Sequence, residues 1–299
     1  MLCVHSLCFI FSLLISHVVH CYLFVALPMI SQNPYDRIAQ RFSQTRQHGW
    51  KDFEFFRPYL QEHISILDVG CGNGRLIDFL EPYVREYVGI DTSEGLLKEA
   101  EMRSEIRNQI PIEAGRVPKG EASGSRLRRL SIWVGNPEMS KAIRVGKSEI
   151  VHFEKISMVD FVRLDSFDAI FSIASFHHLQ TTDHRLQTLK NFHRSLKPSG
   201  YVFMLVWNLW QPKYFWKYLR AFFFGRIFGH GFKMIEVPWK DQNGKVLADR
   251  YYYAFSKREL ERLAMKSGFS IVDSAYIRQG EVSSERKKAY NIGIILQKK

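Results

Sequence analysis

Residues 66–75 read ILDVGCGNGR. The first four form a short apolar run broken only by Asp68, the pattern of a strand buried on both faces. Gly70, Gly72 and Gly74 follow at alternate positions. Glycine reaches positive φ without steric cost and lets the backbone approach a ligand closely. A strand feeding such a turn, with a helical pattern after it at 75–80, opens an α/β unit. Working outward, strands are predicted at 65–69, 87–90, 150–153, 167–172, 201–207, 269–276 and 290–297. Helical patterns fall at 93–103, 185–196 and 256–267, with two more helices at 34–62 ahead of the first strand. Alternation of this kind predicts a doubly wound, mostly parallel seven-stranded sheet. The two strands close together at the C-terminus predict an antiparallel edge hairpin.

The acidic residues around the turn narrow its ligand. Asp68 lies in the strand immediately before it, where a carboxylate works against a pyrophosphate cradle. No Lys-Ser/Thr phosphate-binding pair follows. Asp68 suits instead a sulfonium nucleoside with a cationic amino-acid tail. Asp91 ends the next strand, YVGID at 87–91, where a carboxylate accepts both ribose hydroxyls. A nicotinamide dinucleotide would use the same residue, so Asp91 alone does not decide between the two.

The 299 residues are 46% hydrophobic and 24% charged, ordinary for a globular chain, with a formal net charge of +12 that favours a polyanionic partner or an anionic membrane surface. Cys3, Cys8 and Cys21 precede residue 30, leaving only Cys71 in the body. One thiol makes neither a disulfide framework nor a cysteine metal cluster; no metal is expected, and the chemistry fits a cytoplasmic interior. Residues 1–28 form a leader without Lys, Arg, Asp or Glu. It reads as a start upstream of Met29, a membrane anchor or an uncleaved signal; membrane association is expected only if the leader is real. The domain is predicted over 33–299. It carries a Gly-, Ser- and Arg-rich insertion at 104–148 and an aromatic cap at 208–248 in which Lys213 and Lys217 interleave with Trp210, Phe215 and Trp216.

The succession ILDVGCGNGR, YVGID, DSFDAIFSIASFHHL at 165–179 and LKPSGYVFMLVW at 196–207 resembles the motif series of the class I S-adenosylmethionine-dependent methyltransferases in order and spacing, the insertion apart. The resemblance implies a Rossmann-like fold and S-adenosylmethionine as cofactor. It places loop 70–74, with Cys71 and Asn73 between the glycines, around the methionine moiety. It sets Asp68 at the cofactor tail and Asp91, with Thr92 beside it, at the ribose; Ser172 and Ile173 complete the set. The family's acidic residue after the third strand aligns with Ser157, a departure that leaves the adenine contact open, with Asp160 as the fallback.

Three further segments are similar to a narrower group: YDRIAQRFSQTRQHGW at 35–50, VPW at 237–239 and DRYYYAF at 249–255, together with the His177–His178 pair. They resemble the tRNA wobble-uridine carboxymethyl methyltransferases across most of 33–299. That resemblance implies tRNA as partner and substrate, and a small activating subunit. A carboxylate acceptor is ionised near neutral pH and needs orientation rather than a base. Arg46, His177, His178, Arg250 and Tyr251 are the candidates for that role; for a neutral acceptor, His177 or His178 would be the base. Two other functions fit the same motifs. One is a methyltransferase of a lipid, quinone or metabolite, with the aromatic cap as its lid. The other is an inactive cofactor- or partner-binding scaffold.

Overall fold

A computed structural model describes residues 33–46, 49–109, 150–225 and 233–299. The leader at 1–28 and all but the start of the predicted insertion lie outside them. In chain order the elements are α1 (Ala39–Thr45), β1 (Ile64–Val69), α2 (Ile77–Leu80), β2 (Val84–Asp91), α3 (Glu94–Gln109), β3 (Ile150–Lys155), β4 (Phe167–Ile173), α4 (Thr182–Ser195) and β5 (Leu196–Trp207). There follow α5 (Phe215–Gly225), the short strands β6 (Met234–Glu236), β7 (Trp239–Lys240), β8 (Val246–Ala248) and β9 (Tyr251–Tyr253), α6 (Lys257–Lys266), β10 (Phe269–Arg278), β11 (Glu281–Val282) and β12 (Asn291–Lys298).

The main sheet runs β11-β10-β12-β5-β4-β1-β2-β3. β3, β2, β1, β4 and β5 are parallel, and β12 runs against β5 and β10. Every residue of β1 is buried, and its side chains alternate between two cores. Leu67 and Val69 join one apolar cluster with Phe176, Leu189 and Phe192, while Ile64 and Ile66 join another with Phe53, Phe56 and Leu80. This two-sided burial is why the strand reads as a continuous apolar run. Strand order reverses beside β1, and a crevice opens outside the carboxyl ends of the strands there.

The sheet has eight strands rather than the seven expected, because the two-residue β11 pairs with the end of β10. The expected antiparallel C-terminal hairpin, β10 with β12, forms that edge of the sheet. β12 inserts between β5 and β10, as its six consecutive buried residues require. α3 runs on to Gln109, absorbing the start of the expected insertion. α2 is only four residues long, so Arg75 precedes it. Of the two helices expected at 34–62, the second is the 3-10 segment Lys51–Tyr59. Its buried Phe53, Phe55 and Phe56 do not keep an α-helical period, and Pro58 lies inside it.

The chain before α1 is tied to the front of α3. Asp36 Oδ1 accepts hydrogen bonds from Ser93 Oγ (2.6 Å) and Gly95 N (2.9 Å). Asn33 Nδ2 donates to Thr92 Oγ1 at 2.9 Å. A Cβ on Gly95 would come within 2.9 Å of Ala39 Cβ, so the absence of a side chain lets α1 sit on α3. Asp36→Ala removes the acceptor for both donors; we expect a loss of about 1–2 kcal/mol, read as a lower urea midpoint with unchanged slope.

Candidate functional site

The turn after β1 bends through Gly70 (φ 69°), Gly72 (φ 56°) and Gly74 (φ 70°). Gly70 N and Cys71 N both donate to Ile90 O, at 2.7 and 3.0 Å, binding the turn to the end of β2. A Cβ on Gly70 would collide with Ser175 Cβ. Gly74 is held by packing: an added Cβ would lie 3.2 Å from Ala100 Cβ on α3. Across the crevice, Ala174 follows β4 in a left-handed conformation (φ 54°). Its N–H is held by Leu205 O at 2.7 Å, and Ser175 Oγ donates to Val69 O at 2.6 Å. These bonds hold apart the walls of a cavity of about 500 Å³.

Asp91 sits at the end of β2 with its two oxygens aimed in different directions. Oδ2 accepts Gly72 N at 2.9 Å and Oδ1 accepts Ser93 N at 2.8 Å. Each oxygen keeps lone-pair capacity for a hydroxyl, as a cis-diol requires. Burial pushes its carboxyl above the ordinary range, against the N–H groups of Ser93, Gly72 and Thr92. Asp68 is deeper; its Oδ2 accepts Tyr87 Oη at 2.5 Å. Burial raises its carboxyl to about 7, with Tyr87 and Arg75 acting in the opposite direction. A cationic ligand group beside Asp68 would restore its charge.

Cys71, Asn73, Thr92 and Ile173 also line the cavity. The Cys71 thiol is buried and held well above its ordinary value by burial and by Asp68. Asn73 Nδ2 donates to Arg46 O at 3.2 Å, joining the turn to the end of α1. Ser172 is not among the lining residues; its hydroxyl lies 2.9 Å from that of Ser175, which is. Ser157 caps a local turn, accepting Val159 N at 3.2 Å, while its neighbours Ile156 and Met158 line the wall. That end of the cavity is therefore apolar, suited to the faces of a planar base. Asp160 does not line it.

The opposite end is aromatic and cationic. Arg46 and Arg250 both line it, with guanidinium carbons 5.0 and 4.9 Å from the ring centre of Trp239. Arg250 is 6% exposed, and its Nε has no hydrogen-bond partner among the described residues. Burial first and Arg250 second weaken the basicity of Arg46. Tyr251 is at the rim, 46% exposed. The histidines separate in role. His177 is fully buried, absent from the lining and packed on Trp207 and Tyr252; its Nδ1 accepts Trp207 N at 3.2 Å. His178 lines the cavity, with Nδ1 3.1 Å from Tyr251 O and Nε2 3.0 Å from Tyr35 Oη. A carbonyl can only accept, so Nδ1 carries the proton and Nε2 accepts from Tyr35. Burial holds His178 at about 4, so it is neutral at pH 7.

Sequence reasoning missed Tyr35 and Arg75 as site residues. Both line the cavity, but Tyr35 read as one apolar position of a helix and Arg75 as the first residue after the turn. Among the described residues no cluster could hold a metal ion, and no helix is long and apolar enough to cross a membrane.

A doubly wound sheet with a glycine turn after β1 and a carboxylate at the end of β2 has the architecture of a Rossmann-like fold. A family model described as a methyltransferase domain matches residues 36–274, and the chain belongs to that family. The tRNA (carboxymethyluridine(34)-5-O)-methyltransferase of Schizosaccharomyces pombe is 26% identical over 263 residues, covering 82% of this chain and 90% of the yeast protein. The Arabidopsis thaliana enzyme of the same name is 27% identical over 173 residues, 58% of this chain but only 31% of the plant protein. A Methanosarcina mazei S-adenosylmethionine-dependent methyltransferase has the same fold (TM-score 0.55, 20% identity, covering 81% of this chain and 96% of that one). The protein is therefore a methyltransferase, with a fold shared by that S-adenosylmethionine-dependent neighbour. The lining would suit S-adenosylmethionine: the apolar end would take adenine, Asp91 the ribose hydroxyls and Asp68 the ammonium, with Gly70 and Gly72 bare between them.

Two measurements test this assignment. Asp91→Ala should abolish binding of S-adenosylhomocysteine at micromolar concentration in calorimetry. Because free Asp68 titrates near 7 and the ammonium needs its anion, affinity should rise as pH goes from 6 to 7.5. The change should approach about tenfold per unit well below the midpoint, with proton release on binding. Asp68→Asn should flatten that profile.

Proposed function

We propose that the protein esterifies the carboxymethyl group of a modified wobble uridine in tRNA. The observation that carries this reading is the pair Arg46 and Arg250. Both guanidiniums pack against the one ring of Trp239 at the acceptor end of the cavity, and neither has an ion pair among the described residues. Like charges held this close and partly desolvated favour an anionic occupant. Packing on Trp239, Phe42 and Tyr35 positions the two forks; Arg46 Nη1 is taken by Thr45 Oγ1 at 2.9 Å, while Arg250 Nε is left without a partner among the described residues.

The histidines support the same choice. In the neutral tautomers set by their contacts, Nδ1 of His177 and Nε2 of His178 already accept hydrogen bonds. Neither has a spare lone pair for taking a proton from a neutral acceptor. A carboxylate requires none. A bound S-adenosylmethionine would supply an electrophilic sulfonium methyl group, and its transfer to a carboxylate oxygen would release a neutral thioether with no proton for these residues to move. Arg46 and Arg250 orient the attacking carboxylate, Tyr35 and His178 form the wall beside it, and the aromatic surround excludes water.

A polyanionic substrate agrees with the net charge of +12. The cap presents Phe215 and Trp216, 57% and 74% exposed, beside Lys213. Exposed rings next to cations suit the stacking of unpaired bases. The S. pombe relative bears the activity in its name. A small activating subunit is part of the proposal, tested by co-purification with active protein.

Mass spectrometry of tRNA nucleosides from cells lacking the gene should show the wobble methyl ester replaced by the free acid; an unchanged profile overturns the proposal. Arg250→Met should raise KM for the carboxylate-bearing tRNA by about 10- to 100-fold while leaving S-adenosylhomocysteine affinity within about twofold. An equal loss of both would count against an acceptor role for Arg250.

A further inference from the structure

Arg75 is used by none of the contacts described above. It follows the glycine turn directly, is 8% exposed, lines the cavity, and carries a buried Nη1 with no hydrogen-bond partner among the described residues. Its guanidinium carbon lies 4.3 Å from the ring centre of Trp50, which comes from the segment after α1. Stacking of this kind fixes the plane of the fork and leaves its edge free. A buried, oriented and unpaired donor beside a ligand cavity is costly unless a ligand group completes it.

The charges facing Arg75 define that group. Arg46 and Arg103 are cationic neighbours, Tyr35 is a neutral phenol, and Asp68 is the opposing carboxylate. Arg103 is engaged by Asp78 at 3.3 Å. Asp68 accepts from Tyr87, and its own acidity is suppressed by burial. Arg75 therefore has no full counter-charge, and burial pulls its basicity down to about 10. An α-amino acid tail carries an ammonium and a carboxylate on one carbon, and Asp68 and Arg75 are the two adjacent poles that such a zwitterion would bridge.

We propose that Arg75, held in plane by Trp50, is the receptor for the α-carboxylate of the cofactor's methionine tail, opposite Asp68 on the ammonium. The proposal rests on the cavity holding S-adenosylmethionine and is independent of the methyl acceptor. It gives the site selectivity for ligands with a complete amino-acid tail, and Trp50 acts as a positioning residue through Arg75.

Binding calorimetry with three ligands tests it: S-adenosylhomocysteine, 5′-methylthioadenosine, which lacks the tail, and decarboxylated S-adenosylmethionine, which keeps only the ammonium. Arg75→Met should weaken S-adenosylhomocysteine by about 10- to 100-fold and leave 5′-methylthioadenosine within about twofold. Arg75→Lys should recover part of the loss. A parallel loss for both ligands, or no loss for either, overturns the proposal. If Arg75→Met does not fold, the wild-type protein decides: S-adenosylmethionine must bind at least about tenfold more tightly than its decarboxylated form, and equal affinities overturn the proposal. Failure of the wild-type protein to bind any of the three would instead refute the cofactor assignment.

Discussion

Charge taken out of water without full compensation is the constraint on which the rest of the site depends. Asp68 is buried near the end of β1 and Asp91 half-buried at the end of β2, and the buried Arg75 and Arg250 line the same cavity. Neutral protein groups partly satisfy each one. Asp68 has a phenol, Asp91 has backbone amides, and the arginines have aromatic faces. None of these cancels a charge, so the folded protein retains a field that a ligand of matching charge relieves. The sheet supplies the rigidity that holds this arrangement. The turn is fastened to Ile90, and the facing loop to Val69 and Leu205, so the charges cannot relax toward one another.

The sequence made the cofactor half legible because backbone geometry and residue type coincide there. Positive φ selects glycine at 70, 72 and 74, and the backbone N–H groups of Gly72 and Ser93 at the strand end suit an acid at 91. Strand order beyond β5 was less legible. β10 and β12 read as a simple hairpin, and only the uninterrupted burial of β12 reveals that it lies inside the sheet. The acceptor half was legible as residues but not as roles. His177 and His178 are indistinguishable as a pair in a string, yet one packs in the core and the other lines the cavity. Ser157 and Ser172 sit at the expected positions with hydroxyls committed to local bonds, because side-chain direction at a strand end changes with each residue. Tyr35 and Arg75 gain their meaning from partners more than 20 residues away, His178 and Trp50 respectively, which local patterns do not encode.

The aromatic cap shows how a small accessory layer can be built without a large core. Leu209, Ile235, Tyr252 and Ala254 form a separate apolar cluster, and Trp207 stacks on Tyr252 at 4.8 Å. Arg185 locks this layer to the sheet. It lies 3.3 Å from the Tyr253 ring centre and donates to Leu179 O and Gln180 O. The loop bearing His178 and the strand bearing Tyr251 are thus braced by one buried guanidinium.

The segment from Asn33 to Trp50 touches both halves of the cavity. Asn33 and Asp36 bond the residues after Asp91, and Trp50 backs Arg75; Tyr35 meets His178, and Phe42 stacks under Arg46. One stretch of chain therefore borders both ends of the cavity. Whatever free energy the donor contributes to ordering that stretch is returned in equal measure to the acceptor, since the coupling between two ligands is the same whichever arrives first. Were both substrates to contact this strap, whose helix α1 packs on α3, their affinities would be linked through it.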